Sequence, residues 1–273
     1  MNDPARRAVP RAAYAGLVIL LFFIAGSALS LILQLELPVI VRVLKEREIR
    51  FAIGLSLATS LTSLTLAVLI GLPAAWVIAS GKLPLRSFIN ILLDLPVVTP
   101  PLVAGIGLLL LLGRHGLLGK IDQRLTAKLF SPLGVIIAQT YVALSIFTRS
   151  AVSALLSIDK NYTAAACNLG LSPARAFLLV EIPLVWKPLL GGCILAFSRA
   201  IGEFGACLML AGATRLKTET LPMAIYLNIA SGDFSAAVVC AVILMTIAAI
   251  MLTGLHIAQR GSPAVDSPIK ASA

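Results

Sequence analysis

Long, nearly uncharged aliphatic stretches recur along this chain, and such stretches leave few folds open. A soluble domain has too little interior to bury all of them. Crossing a hydrocarbon core ~30 Å thick, by contrast, takes about 20 apolar residues in helix. On that criterion spans are expected near residues 13–33, 51–79, 88–112, 132–155, 186–211 and 235–257. Composition agrees: 59% of residues are hydrophobic and 12% charged, with a mean hydropathy of +1.00. Soluble domains carry about 45–50% apolar and about 25% charged residues. Aromatics make up only 6%, so the surplus is aliphatic. That argues against an outer-membrane barrel, whose strands alternate in polarity and need aromatic girdles. The expected fold is all-α: a polytopic membrane protein of about six transmembrane helices.

The formal charge of +10 does not mark a nucleic-acid patch, because the basic residues sit singly or in pairs between apolar runs. Cys167, Cys193, Cys207 and Cys240 lie in or beside apolar segments without CxxC or CxxH spacing. They read as small buried thiols, not a disulfide framework or zinc site. His115 and His256 are too far apart in the sequence to suggest a metal site.

Arg6, Arg7 and Arg11 precede the first span as in a signal peptide, and Ala25-Gly26-Ser27-Ala28 offers small residues for cleavage. The apolar stretch exceeds the 7–15 residues typical of a signal h-region, so a retained helix is expected. Lysines and arginines divide almost evenly between the two sides, and the positive-inside rule therefore gives no orientation.

Two spans are not plain lipid-facing rods. The third contains Pro96, Thr99, Pro100 and Pro101, followed by Gly105 and Gly107. Proline removes a backbone donor and obstructs the preceding turn, so this helix should break or kink. Broken backbone at membrane depth must be covered by protein or line a water-filled cavity. The second span carries Ser56, Thr59, Ser60 and Ser63 as one polar stripe. Close helix packing, with hydroxyls bonded to their own backbone, is the expected role; a pore lining is compatible with it.

The polar interruption between the fourth and fifth spans is the most informative stretch. Asp159 or Ser157 can cap a short helix through Ala164, Ala165 and Ala166, and Gly170 stands where a left-handed C′ residue is needed. Ser172 then serves as N-cap with Pro173 at the first helical position. Arg175 follows, and this second helix should run to about Val180, stopped by Pro183. The pattern predicts a helix–turn–helix elbow outside the bilayer.

Ala164-Ala165-Ala166, three residues, Gly170, nine residues, then Val180-x-Ile182-Pro183 resembles the EAA loop of ABC importer permeases. Their pattern is Glu-Ala-Ala, three residues, Gly, nine residues, Ile-x-Leu-Pro. The spacing matches throughout, while Ala164, Val180 and Ile182 replace the family's glutamate, isoleucine and leucine. The resemblance implies a coupling helix that docks on a cytoplasmic ABC ATPase dimer. It also implies cytoplasmic termini, a prokaryotic inner or plasma membrane, a second permease copy as a homodimer, and an external oxyanion-binding protein. Gly119-Lys120 and Gly81-Lys82 do not complete GxxxxGK[ST], so ATP and magnesium are expected on the partner and no cofactor or metal on this chain.

Leu95 through Gly105, Gly113-Arg114-His115-Gly116 with Gly119, and Ser198-Arg199 through Ala206 extend the resemblance over roughly residues 50 to 257. They are most similar to molybdate, tungstate and sulfate permeases. Phe204-Gly205-Ala206 looks more like the molybdate and tungstate members, and a sulfate or thiosulfate permease is the alternative. Arg199 and Glu203 stand four apart, expected on one helix face. Charges at that depth cost about 2.5–3.5 kcal/mol each, so they should pair and hold the helix in register, rather than leave Arg199 free for an anion. Outer loops 113–131 and 213–234, with Arg114, Lys120, Arg124, Lys128, Arg215 and Lys217, could steer an acidic partner or the anion, though a solvated charge-mixed loop is the default.

The expected division is a tail, first helix and external connector over 1–50, a permease core with coupling loop 157–183 over 51–257, and a disordered cytoplasmic tail over 258–273. An ion-gradient-driven secondary transporter would instead show inverted repeats and several ionisable residues near the midplane. No clear repeat is present. An intramembrane hydrolase would need a nucleophile beside a base, and a bare scaffold would not need the elbow.

Overall fold

The computed structural model describes residues 11–81, 83–114, 116–118 and 128–260. Among the described residues every regular element is helical. In chain order these are α1 (Arg11–Leu33), α2 (Leu37–Lys45), α3 (Arg47–Ala79), α4 (Arg86–Val98), α5 (Pro101–Leu112) and α6 (Pro132–Leu156). Then come α7 (Lys160–Asn168), α8 (Pro173–Ala176), a π turn (Phe177–Glu181), α9 (Ile182–Ile201), α10 (Gly205–Ala211), α11 (Leu221–Ala230) and α12 (Phe234–Arg260). His115, Lys120, Arg124, the charged N-terminal arginines 6 and 7 and the tail beyond 260 lie outside the described residues.

Five helical stretches are long and apolar enough to cross a membrane alone: Tyr14–Leu33, Arg47–Ala79, Pro132–Leu156, Pro173–Ile201 and Phe234–Gly254. The bent pair α4–α5 brings the number to as many as six. Small residues let α3, α6 and α9 approach closely. Ala67, Ala75, Ala143, Ala151, Ala196 and Ala200 are all buried in one core around Phe147. Such contacts replace the hydrophobic effect as the association force between helices in lipid. A second core joins α5, α6 and α10 through Leu108, Val135, Ala206 and Leu210. A third joins α2, α3, α11 and α12 through Val43, Ile49, Leu221 and Val239. By contrast α1 stands off this body with its apolar side chains exposed, as lipid-facing residues are.

The expected break in the third span is present, as two helices meeting at 116°, while other expectations need correction. At 1.5 Å per residue, 13 and 12 residues reach only about 20 and 18 Å, so neither half crosses alone. The break follows from the prolines: a residue before proline is pushed out of the helical region. Accordingly Thr99 and Pro100 have ψ of 130° and 135°. The fifth span, expected over 186–211 as one rod, ends at Ile201 and resumes in α10 after a break at Gly202–Phe204. The supposed outer loop 213–234 holds the helix α11.

Pro183 does not stop the second arm of the elbow. The chain stays helical from Pro173 to Ile201 because the turn ahead of Pro183 widens into the π turn, where the Ile182 N–H donates to the Phe177 carbonyl. A wide turn makes room for the ring and for the missing donor. A kink comes next at Val185, whose φ and ψ are −114° and 18°.

Candidate functional site

Two regions carry most of the residues that the sequence singled out. The first is the elbow. Asp159 Oδ1 accepts the Asn161 N–H at 2.9 Å and so caps α7. At the other end the Leu171 N–H donates to Ala166 O at 3.2 Å and the Gly170 N–H to Cys167 O at 3.0 Å. That bond pair is a Schellman ending, which requires a left-handed residue at C′. Gly170 supplies it, with φ of +93°. Ser172 Oγ accepts the Arg175 N–H at 3.4 Å, and Pro173 opens α8.

Ala164, Ala165, Gly170, Ser172, Pro173, Arg175 and Pro183 are exposed, whereas Ala166 is buried against the body. The outward face of α7 also bears Tyr162, and Leu169 beside the bend is 87% exposed. On the inward side Phe177 stacks on Trp76 of α3, centroids 4.7 Å apart. Thr163 Oγ1 donates to Glu181 Oε1 at 2.8 Å, joining α7 to the end of the π turn. Sequence reasoning missed this bond, since nothing in a spacing of eighteen residues announces it.

The second region is formed by the two breaks. The α5 and α10 segments cross so closely that a Cβ on Gly205 would lie 2.7 Å from Pro101 Cβ. One on Gly105 would lie 2.8 Å from Ala206 Cα. The two stretches that carried the finer resemblance, 95–105 and 198–206, therefore pack on each other. Glu203 sits past the end of α9, not on one helical face with Arg199 as expected, because the helix has already broken at Gly202. It nonetheless faces Arg199, with Oε2 2.6 Å from Nη1, in an ion pair without hydrogen-bond angles. Its other oxygen accepts the Ala206 N–H at 2.9 Å and caps α10. Glu203 is fully buried and the Arg199 side chain 38% exposed, so the pair is open on the arginine side only.

Pro96 and Thr99 are partly exposed and Pro100 exposed at the first break. Two residues further into this region were missed: Arg149 Nη2 donates to Asp94 Oδ2 at 2.7 Å, two turns before the C-terminal end of α6. Arg199 and Glu203 are thus not alone among charges within the spans. Ser145 of the same helix donates its hydroxyl to the Leu93 carbonyl, holding α4 on α6.

Ser56, Ser60 and Ser63 belong to neither region. All three are fully buried inside the chain, so they line no accessible surface. Thr59 bonds its own backbone at Leu55 O, 2.8 Å, as expected. Ser56 and Ser63 do something else: Ser56 Oγ accepts the Leu221 N–H at 2.7 Å and Ser63 donates to Ile136 O at 3.0 Å. The stripe ties α3 to α6 and α11. In the segments expected to be outer, Arg215 pairs with Glu48, and Arg42 with Asp233 at 3.0 Å, while Arg114, Lys128 and Lys217 are exposed. Buried Glu219 has its carboxyl pushed up by desolvation.

The chain that carries this elbow and these two breaks can be set beside known proteins. The pattern of the binding-protein-dependent transport system inner membrane component covers residues 67–260. This chain belongs to that family. It is a multi-pass inner-membrane permease subunit of an ABC importer. The molybdenum transport system permease protein ModB of Mycobacterium tuberculosis is 33% identical over 248 residues, covering 90% of this chain and 94% of the relative. The sulfate transport system permease protein CysW of Synechocystis is 32% identical over 213 residues, 78% of this chain and 77% of the relative. In fold the permease is similar to a chain of a bacterial alginate ABC transporter solved in complex with a pentasaccharide-bound periplasmic protein. The TM-score is 0.73 at 15% identity, covering 91% and 94% of the two chains.

Proposed function

We propose that this permease subunit moves a tetrahedral oxyanion, molybdate or tungstate, inward by alternating access, driven by a separate ATPase. The observation that carries the reading is the elbow: capped at both helices, turned at Gly170 and presenting Ala164, Ala165, Leu169, Ser172, Pro173 and Arg175 outward. Such a shape passes on force from a docked partner, whereas an unstructured linker would absorb it. In this reading the elbow, the 81–87 loop and both termini face the cytoplasm. Two copies of the chain, each with one elbow, sit on an ATPase dimer that binds ATP and magnesium. Closure of that dimer draws the elbows together and opens the pathway outward, where an external binding protein delivers the anion. Pro183 joins the elbow to α9, so Pro96, Thr99, Pro100, Arg199 and Glu203, at the two breaks, lie where helix motion would reshape a passage.

The wider match to the molybdenum permease, 90% of this chain against 78% for the sulfate relative, supports the larger anion. Affinity in this scheme belongs to the binding protein, because a pathway must release what it carries. Arg199 is held by Glu203, which suits a weak contact better than a tight site.

The test is reconstitution with the neighbouring ATPase and binding protein in liposomes. Molybdate-loaded binding protein should stimulate ATP hydrolysis and anion uptake. Stimulation by sulfate and not molybdate would shift the assignment to the sulfate branch, and uptake without ATP would overturn the ATP-driven mechanism. Single cysteines along Ala164–Arg175 should crosslink to the ATPase, those at exposed positions 164, 165 and 169 more readily than that at buried Ala166.

A further inference from the structure

Resting on the importer reading above, we propose that the Thr163–Glu181 hydrogen bond is the clamp that makes the elbow and α9 move as one body. Glu181 is then a positioning residue for coupling ATP hydrolysis to transport. Three observations lead there.

First, α7 has nine residues, below the roughly 12–15 at which an isolated helix becomes even marginally stable, so it needs anchors to the body. Its ends are capped, but caps fix shape and not position. Ala166 is its only buried residue, which offers little area. The bond from Thr163, one turn before Ala166 on the same side, supplies a directional hold on the inward face.

Second, the hold reaches the right place. Glu181 is the last residue before α9, whose far end carries Arg199 and runs into the break at Gly202. A push on α7 therefore enters α9 across this bond, without having to pass round the bend at Gly170 and through four-residue α8. Phe177, at the start of the same π turn, is pinned by Trp76 of α3. The turn thus joins the elbow, α3 and α9.

Third, the π turn accounts for the aim. One extra residue in a helix rotates the succeeding residues by about 100°. Glu181 closes the widened turn, so the geometry of that turn sets the direction in which its carboxylate leaves the helix toward Thr163. The widened turn before Pro183 is therefore a device for orienting a carboxylate as well as a way round a proline. Position 164, one residue from Thr163, is where the resembling loops carry their glutamate and this chain has alanine. Here a carboxylate arrives in the elbow from the other arm.

The experiment compares molecules of ATP hydrolysed per anion taken up, in proteoliposomes holding permease, ATPase and binding protein. Glu181→Ala and Thr163→Val should each raise that ratio about tenfold, the low end for losing a hydrogen bond to a charged group. The ATPase should still co-purify. The double variant should be no worse than either single one, and Thr163→Ser should restore the wild-type ratio. In case the truncations fail to assemble, Thr163→Cys with Glu181→Cys, in a background with the four native cysteines replaced, provides a second route. Bridging the pair with a short, reducible bifunctional thiol reagent should lower the ratio, and reduction should raise it again. An unchanged ratio in all these variants overturns the clamp while leaving the importer reading intact. A wild-type assembly in which loaded binding protein stimulates no ATP hydrolysis overturns both.

Discussion

The elbow at Gly170 and the crossing of α5 with α10 both depend on glycine, yet for opposite reasons. Gly170 has φ of +93° and nothing within 4 Å of where a Cβ would stand. Its requirement is conformational. Gly205 has no such backbone, but a Cβ there would meet Pro101 Cβ at 2.7 Å and Leu102 N at 2.9 Å. Its requirement is space. The elbow projects from the body and holds its shape by rules acting within a dozen or so residues: a cap, a left-handed ending, a proline start. The crossing holds by contact between segments far apart in the chain. A part meant to push on another protein gains from being stiff by itself, while a part at membrane depth can rely on its neighbours.

If that contrast is right, substitutions at the crossing should unfold the permease, and those at the elbow should spare global stability while weakening coupling. The largest effect is expected for Glu203→Ala. It removes the acceptor of the buried Ala206 N–H and leaves the partly exposed Arg199 without its partner, and a buried donor left unsatisfied costs about 2–3 kcal/mol. The detergent-solubilised protein should melt earlier and lose uptake. Arg199→Ala combined with Glu203→Ala should recover part of both. Equal losses in the two single variants and the double variant would show that the pair is not what matters there. Gly205→Val comes next, at about 2 kcal/mol for overpacking, again read from the melting midpoint. Should it prove as mild as a substitution at Gly170, the distinction between space and conformation would fail.

The same contrast explains how much was legible in the sequence. The spans of α3, α6 and α12 could be read because length and polarity suffice for them. Asp159, Gly170, Ser172 and Pro173 took the roles assigned to them because each acts on its immediate neighbours. The break at Thr99–Pro100 was visible in its prolines, though its 116° angle was not, since that is set by what α5 packs against. The break at Gly202 went unseen: an isolated glycine is tolerated in a helix, and no proline marks the spot. Asp94–Arg149 and Thr163–Glu181 could not be found, because one joins two spans and the other depends on an extra residue in a turn. Ser56 and Ser63 were recognised as packing residues, but with partners on their own helix, when those partners lie on α11 and α6.

The smaller predictions belong to the elbow. Gly170→Ala should cost about 1–2 kcal/mol, the penalty for a left-handed residue with a side chain, with no clash to add. It should appear as faster amide exchange over 160–171 and a higher ATP cost per anion, with the melting midpoint of the whole permease nearly unmoved. Ser172→Ala is expected to be milder still, about 0.5 kcal/mol, the low end for losing an N-cap. The Ser172 bond is long, 3.4 Å to the Arg175 N–H, against 2.9 Å for the cap of α7 at Asp159. Pro173 has no N–H to orphan, and its fixed φ starts α8 whether or not the serine is present. Exchange over 173–176 should therefore rise slightly and that over 160–168 not at all. A Ser172→Ala variant as damaging as Gly170→Ala would mean that the second arm leans on its cap, and that the elbow is less self-sufficient than its turn implies.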